Sequence, residues 1–161
     1  MWSSDRPTRR GALGLVLAVG GCGFRPLYAP DAGGGALHGQ VRLEGVEGRE
    51  GYYFRRALRR RLGDPASDAA YTLTVALTFS ERGLAITPTD DITRVDVTGE
   101  ARYALTPHGA ETPTTQGVAR SVSAYNTLAN PYATRVAADD AARRIAEDLA
   151  TRVFLRIAAA A

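Results

Sequence analysis

The stretch 71-YTLTVALTF-79 decides the fold. Tyr71, Leu73, Val75, Leu77 and Phe79 fall on one side of an extended chain, and Thr72, Thr74, Ala76 and Thr78 on the other. Side chains of a strand alternate with period 2, so the spacing predicts a half-buried strand whose outer face is rich in β-branched residues. Leu84 and Ile86 extend it past a bulge expected near Glu81-Arg82-Gly83, and Thr87 to Asp91 has the chemistry of a turn. Val95, Val97, Gly99, Ala101, Tyr103 and Leu105 then alternate with Arg94, Asp96, Thr98, Glu100 and Arg102, a second long strand closed by Thr106-Pro107-His108-Gly109. A further strand is expected over Thr115–Tyr125, where Val118, Val122 and Ala124 share a face. Long strands joined by short polar turns argue for an antiparallel sheet with one wet face.

Outside this block the period changes. In 51-GYYFRRALRRRL-62, Phe54, Leu58 and Leu62 recur every four residues with Ala57 beside them, a narrow apolar stripe on a helix that Gly63-Asp64-Pro65 stops. Arg55, Arg56, Arg59, Arg60 and Arg61 cover its remainder. Two readings of that cluster stand: a binding face for the phosphates of a lipid or nucleic acid, or a solvated face whose later arginines complement the helix C-terminal dipole. Before the helix, Val41, Leu43 and Gly45 alternate with Arg42, Glu44 and Val46 as a first strand. At the other end, Asn130-Pro131 supplies an N-cap and first helical residue. Ala141, Ile145, Leu149 and Val153 form the stripe of this last helix, with Asp139–Arg143, Asp140–Arg144 and Asp148–Arg152 as i,i+4 pairs. The expected order is β-α-β-β-β-α. Its fold class is α+β: a four-stranded, mainly antiparallel sheet with two helices on one face, built as a single domain over residues 37–161.

Composition excludes more than it selects. The chain has 161 residues, enough for one domain with a real core, and all 20 of its basic residues are arginine. The formal charge is +3, of which two units belong to residues 1–21, so nucleic acid is not an expected partner. One cysteine permits neither an intrachain disulfide nor a cysteine-based zinc site. No nucleophile-elbow, Walker, dinucleotide or metal-protease pattern is present. Asp90-Asp91 reads as part of a turn and Asp139-Asp140 as a helix's first turns. His38 and His108 have no partners at ligand spacing. The chain is expected to be no enzyme and to carry no catalytic residue, metal or cofactor.

The cysteine has its own context. Residues 1–10 are polar with three arginines, residues 11–19 (GALGLVLAV) are apolar, and Gly20-Gly21 precede Cys22. That is the layout of an export signal over residues 1–21. Nine helical residues rise about 14 Å, half of a bilayer core, too short for a permanent span. Ala29 to Ala36 (APDAGGGA) then reads as a tether, so residues 22–36 are assigned to anchor and linker. Val19-Gly20-Gly21-Cys22 resembles the bacterial lipobox, in which the cysteine becomes an acylated N-terminus. Several acyl chains, palmitate among them, each contribute about 0.8 kcal/mol per buried methylene and hold a protein durably on a membrane. Cys22 is accordingly read as the lipid attachment point. Thr8-Arg9-Arg10 faintly resembles a twin-arginine export signal.

The phrase Cys22-Gly23-Phe24-Arg25-Pro26-Leu27-Tyr28 resembles the start of mature lipopolysaccharide-assembly lipoproteins, the LptE family, of the alphaproteobacterial type. Tyr52 to Leu58, Tyr71-Thr72-Leu73 and Ala124-Tyr125-Asn126 before a charged helix extend the likeness over most of the mature chain. The resemblance implies a non-enzymatic protein at the periplasmic side of the outer membrane. It would plug the β-barrel LptD, bind lipopolysaccharide, and aid its delivery to the outer leaflet. Arg82 and Arg94, flanking the Thr87–Asp91 turn, are the candidate lipopolysaccharide-binding residues; ordinary surface charge is the competing reading. The alternative function is a periplasmic lipoprotein that binds a lipid or envelope component without a barrel partner.

Overall fold

The computed structural model describes residues 33–86 and 92–160. Cys22, the signal, the aromatic phrase after the cysteine, most of the tether and the turn with Asp90-Asp91 lie outside them. The elements are α1 (Gly33–Ala36), β1 (Val41–Glu44), α2 (Gly48–Leu62), β2 (Tyr71–Ile86), β3 (Ile92–Pro107), β4 (Thr115–Asn126) and α3 (Pro131–Ala160). The four strands form one sheet in the order β1-β2-β3-β4. β1 pairs with β2 in parallel, and the other two pairings are antiparallel. This is the expected α+β architecture with a mainly antiparallel sheet, in which β1 is the one parallel member.

Parity in the sequence becomes position in the sheet. Leu73, Val75, Val97, Ala101, Tyr103, Leu105 and Ala119, all odd-numbered, are buried beneath the helices. Thr74, Ala76, Thr78, Glu100, Arg102 and Arg120 have no element packed over them. The bulge lies slightly later than expected, with register shifts between Gly83 and Ala85 and again before Ile86.

β4 corrects the reading of its faces. The side that enters the core carries Ala119 and Ser121, while Val118 and Val122 are 40% and 64% exposed. Arg120 lies between the two valines on the same face, and burying a guanidinium there would cost several kcal/mol. Small residues on the opposite face let α3 come close.

α3 lies across β3 and β4 and against α2. Thirty residues give it a length of about 45 Å. Its buried stripe is wider than the sequence suggested, because it meets both sheet and α2: Ala146, Ala150, Phe154, Ile157 and Ala158 join the four expected residues. Phe54, Leu73, Leu105, Ile145, Leu149 and Phe154 form the centre of the single core cluster. Asp140–Arg144 and Asp148–Arg152 pair as expected, but Asp139 turns to α2 and accepts a hydrogen bond from Arg49 Nη1 at 2.7 Å. Arg143 instead pairs with Asp140, three residues back.

Within the stretch read as tether, Gly33–Ala36 forms one helical turn held on α3. Gly33 sits so close that a β-carbon there would lie 1.8 Å from the Ala158 carbonyl oxygen. Leu37, the next residue, is buried.

Candidate functional site

Arg82 and Arg94 are both exposed and lie at the hairpin end of β2 and β3. Arg82 is directly opposite Asp96, and Arg94 Nε stands 3.9 Å from Asp96 Oδ1. The register thus places both arginines next to Asp96, with an ion pair from Arg94. A charge pair directly across two strands, or an exposed ion pair along one, contributes only about 0.2–1 kcal/mol, so neither guanidinium is tightly held. A shallow groove beside them is lined by Ser80, Glu81, Arg82, Asp96, Thr98 and Val122.

Farther along the same face, Glu100 accepts hydrogen bonds from Arg120 Nε at 2.9 Å and Arg102 Nε at 3.0 Å. The Arg120 hydrogen bond is the main reason that Glu100 titrates below the usual carboxylate range. The face thus presents rows of threonine, arginines that share a carboxylate, and two exposed valines, a polar surface with no helix over it.

The opposite face supplies rigidity. Ser121 Oγ donates to Asp148 Oδ2 at 2.7 Å, and Arg152 Nε donates to the same oxygen at 2.7 Å. Burial pushes the Asp148 carboxyl up, but those hydrogen bonds outweigh it and leave it below its ordinary value. Tyr125 donates to Glu81 Oε2 at 3.3 Å; burial, then the Glu81 charge, raises its phenol above the ordinary range.

The arginines of α2 divide into tied and free. Arg55 donates to the Val46 carbonyl, and Arg61 reaches both the Ala57 carbonyl and Thr151 Oγ1. Arg56, Arg59 and Arg60 point to solvent. Parity and helical spacing alone do not reveal this division, since the partners of Arg61 and Arg49 come from α3, ninety residues away.

Among the described residues, no group of three or more His, Cys, Asp or Glu side chains is placed to hold a metal ion, and no helix is long and apolar enough to cross a membrane. No buried side-chain nitrogen or oxygen among them lacks a hydrogen-bond partner.

With this geometry in view, comparison with known families is decisive. Residues 39–157 match the family model LptE, Lipopolysaccharide-assembly. The chain belongs to the LptE family. That membership makes it a lipopolysaccharide-assembly protein rather than an enzyme. Solved structures share the fold. A Caulobacter crescentus protein is 23% identical with a TM-score of 0.60, over 75% of this chain and 89% of its own. The rare lipoprotein B of Shewanella oneidensis is 14% identical with a TM-score of 0.57, over 74% and 92%. A minor lipoprotein from Acinetobacter baumannii is 16% identical with a TM-score of 0.54, over 74% and 88%. Curated protein sequences yield no match.

Proposed function

We propose that this LptE-family chain is a lipid-anchored protein of the outer membrane's periplasmic side that seats in the lumen of a lipopolysaccharide-translocating β-barrel, the LptD partner, and helps deliver lipopolysaccharide to the outer leaflet. The observation that carries the barrel partnership is the uncovered sheet face. Thr72, Thr74 and Thr78 on β2, with the Arg102–Glu100–Arg120 cluster across β3 and β4, make a wide polar surface on which both cations share one carboxylate. A water-lined lumen is also polar, so such a face docks there without stranding charge in an apolar interface. Acylation at Cys22 would raise the domain's effective concentration beside the barrel.

Arg82 and Arg94 are the proposed contacts to lipopolysaccharide phosphates, since guanidinium groups make bidentate, charge-assisted hydrogen bonds to such oxygens. Asp96 pairs loosely with Arg94 and faces Arg82 across the strands.

Solubilised envelopes test the partnership. Affinity capture of the chain should recover a large outer-membrane β-barrel in near-equal amount, and capture without one would remove the plug reading. Arg82→Gln with Arg94→Gln should weaken lipopolysaccharide binding while leaving the thermal midpoint in place; unchanged affinity rejects those residues. Mass spectrometry of the mature N-terminus should find acyl chains on Cys22, and an unmodified thiol would reject the anchor.

A further inference from the structure

At the end of the molecule away from Arg82 and Arg94, a cavity of about 330 Å³ opens between α2 and the edge strand β1. Val41, Leu43, Leu58, Leu62 and Pro65 supply its apolar walls, with Arg55 and Arg59 at its rim. It continues into an open groove over Arg56 and Arg60 that shares Arg55, Arg59 and Gly63 with it. A pocket of this size with apolar walls and a few convergent polar groups has the form of a small-ligand site.

Of the cations around it, Arg55 is held by the Val46 carbonyl and Arg42 by that of Ser67, whereas Arg56, Arg59 and Arg60 are held loosely or not at all. Arg56 has neither hydrogen bond nor ion pair among the described residues. Arg59 Nε stands 3.7 Å from Asp64, with the two side chains 62% and 87% exposed, and Arg60 stands 3.9 Å from Glu147. Favourable interaction with the helix dipole is confined to the last turn, which holds Arg59, Arg60 and Arg61 and leaves Arg56 unexplained. Like charges at 55/59, 56/59 and 56/60 each cost a few tenths of a kcal/mol in helix stability. A cluster with an excess of cations beside an apolar cavity is complementary to a ligand with a phosphate at one end and an alkyl chain at the other.

The chain enters the fold at this same end. Gly33 lies against Ala158 at the C-terminal end of α3, and the Gly39 amide donates to the Leu62 carbonyl at 2.6 Å. Eleven residues separate Gly33 from Cys22, a reach of at most about 38 Å. Arg82 is eleven residues along β2 from Tyr71, or about 36 Å farther from this end.

We propose that the α2/β1 cavity and the Arg56–Arg59 groove bind an anionic glycerophospholipid of the membrane, one acyl chain in the cavity and its phosphate on the guanidinium groups. The bilayer as its source rests on the anchor reading for Cys22; the binding chemistry does not. Such a site would hold the tethered end of the domain on the lipid surface and leave the hairpin end directed away from it.

The test uses the chain from residue 22 with Cys22→Ser, so that acylation contributes nothing. It should co-sediment with phosphatidylcholine vesicles containing phosphatidylglycerol and not with phosphatidylcholine alone. Dodecyl phosphate below its micelle concentration should bind about tenfold more tightly than either inorganic phosphate or dodecyl maltoside. Arg56→Gln with Arg59→Gln should weaken both interactions about tenfold, as expected for two lost charge-assisted hydrogen bonds, and Arg56→Lys with Arg59→Lys should recover part of the loss. Arg82→Gln with Arg94→Gln should leave both unchanged. Equal binding by the parent and the Arg56/Arg59 glutamine variant, with matching thermal midpoints, overturns the site. Binding to lipopolysaccharide but not to phosphatidylglycerol, lost in that variant, overturns the assigned lipid. An unacylated Cys22 in cells alongside intact phosphatidylglycerol binding would remove the anchor and leave the site standing.

Discussion

Gly99 marks the closest approach between α3 and the sheet. A β-carbon placed there would lie 2.2 Å from Ile145 Cγ2, 3.1 Å from Leu149 Cδ1 and 3.3 Å from Phe79 Cε1. Ile145 and Leu149 are themselves fully enclosed, so neither has free space into which to move. Glycine in a strand ordinarily costs about 0.5–1 kcal/mol relative to alanine, which would make Gly99→Ala stabilising at an open position. Here, forcing a methyl into a filled core costs about 1–3 kcal/mol, and the net is a loss of about 1–2 kcal/mol. With a urea dependence of about 1–3 kcal/mol per molar, the unfolding midpoint falls by roughly 0.5–1 M. Far-UV circular dichroism is the suitable probe, because the chain's one tryptophan, Trp2, lies outside the described residues. Ile145→Ala alone should cost about 2–5 kcal/mol by opening a cavity. In that background Gly99→Ala should be neutral or stabilising, giving a coupling of about 1–3 kcal/mol. A neutral Gly99→Ala in the parent, or additive effects in the pair, would refute the close approach.

Three other expectations follow from named contacts. Asp148 has a lowered folded value, so its contribution is fully present above its unfolded value of about 3.9 and is lost as pH falls through the folded value; Asp148→Asn should flatten the acid limb of stability against pH, and parallel curves for parent and variant would reject this. Asn130 Oδ1 accepts from the Tyr132 amide at 2.9 Å, and Asn130→Ala should lower the urea-derived stability by about 0.5–2 kcal/mol; no change would deny the cap a role. Arg49 and Asp139 are 54% and 40% exposed, so a double-mutant cycle should give a coupling of only about 0.2–1 kcal/mol despite the 2.7 Å contact, and a larger value would mean the pair is better shielded than its exposure indicates.

Strand periodicity was legible because a half-buried strand repeats every second residue, and Tyr71 to Phe79 and Val95 to Leu105 repeat cleanly. The face of β4 was not, because its buried side is small rather than apolar: Ala119, Ser121 and Ser123 carry little hydrophobic signal, and the conspicuous valines lie outside. Parallel pairing of β1 with β2 comes from the intervening α2 and leaves no mark on four residues of strand. The two arginines at the hairpin end could be named from their flanking of a turn, but Asp96 as their common neighbour required the register. For α2, composition announced the cluster of cations. Only packing separated Arg55 and Arg61, held by carbonyls and Thr151, from Arg56 and Arg59, which remain available to a ligand. The cavity beside them involves Val41 and Leu43 from a different element, so no local pattern could have indicated it.

The free edge of β4 bears on how a partner can approach. An exposed strand edge of twelve residues is a template for pairing with another chain. Here Arg156 reaches from α3 to the Val118 carbonyl, while Arg144 Nη2 donates to Ser123 Oγ at 3.2 Å and to the Ala124 carbonyl at 3.5 Å. Val118 and Ala124 are an even number of residues apart, so both carbonyls point to the same side of the strand, as do those of Arg120 and Val122 between them. The two guanidinium groups thus sit at either end of the β4 edge and obstruct strand addition there, whereas β2 beyond Thr74 has no strand on its outer side. With the β4 edge obstructed, the uncovered face is the surface through which the proposed barrel partner would meet β3 and β4. Arg144→Ala with Arg156→Ala should therefore permit edge pairing, seen as concentration-dependent self-association in sedimentation velocity at concentrations where the parent shows less. Equal sedimentation of the two proteins across that range would show that the arginines do not guard the edge, and the argument for a face-on partner would lose this support.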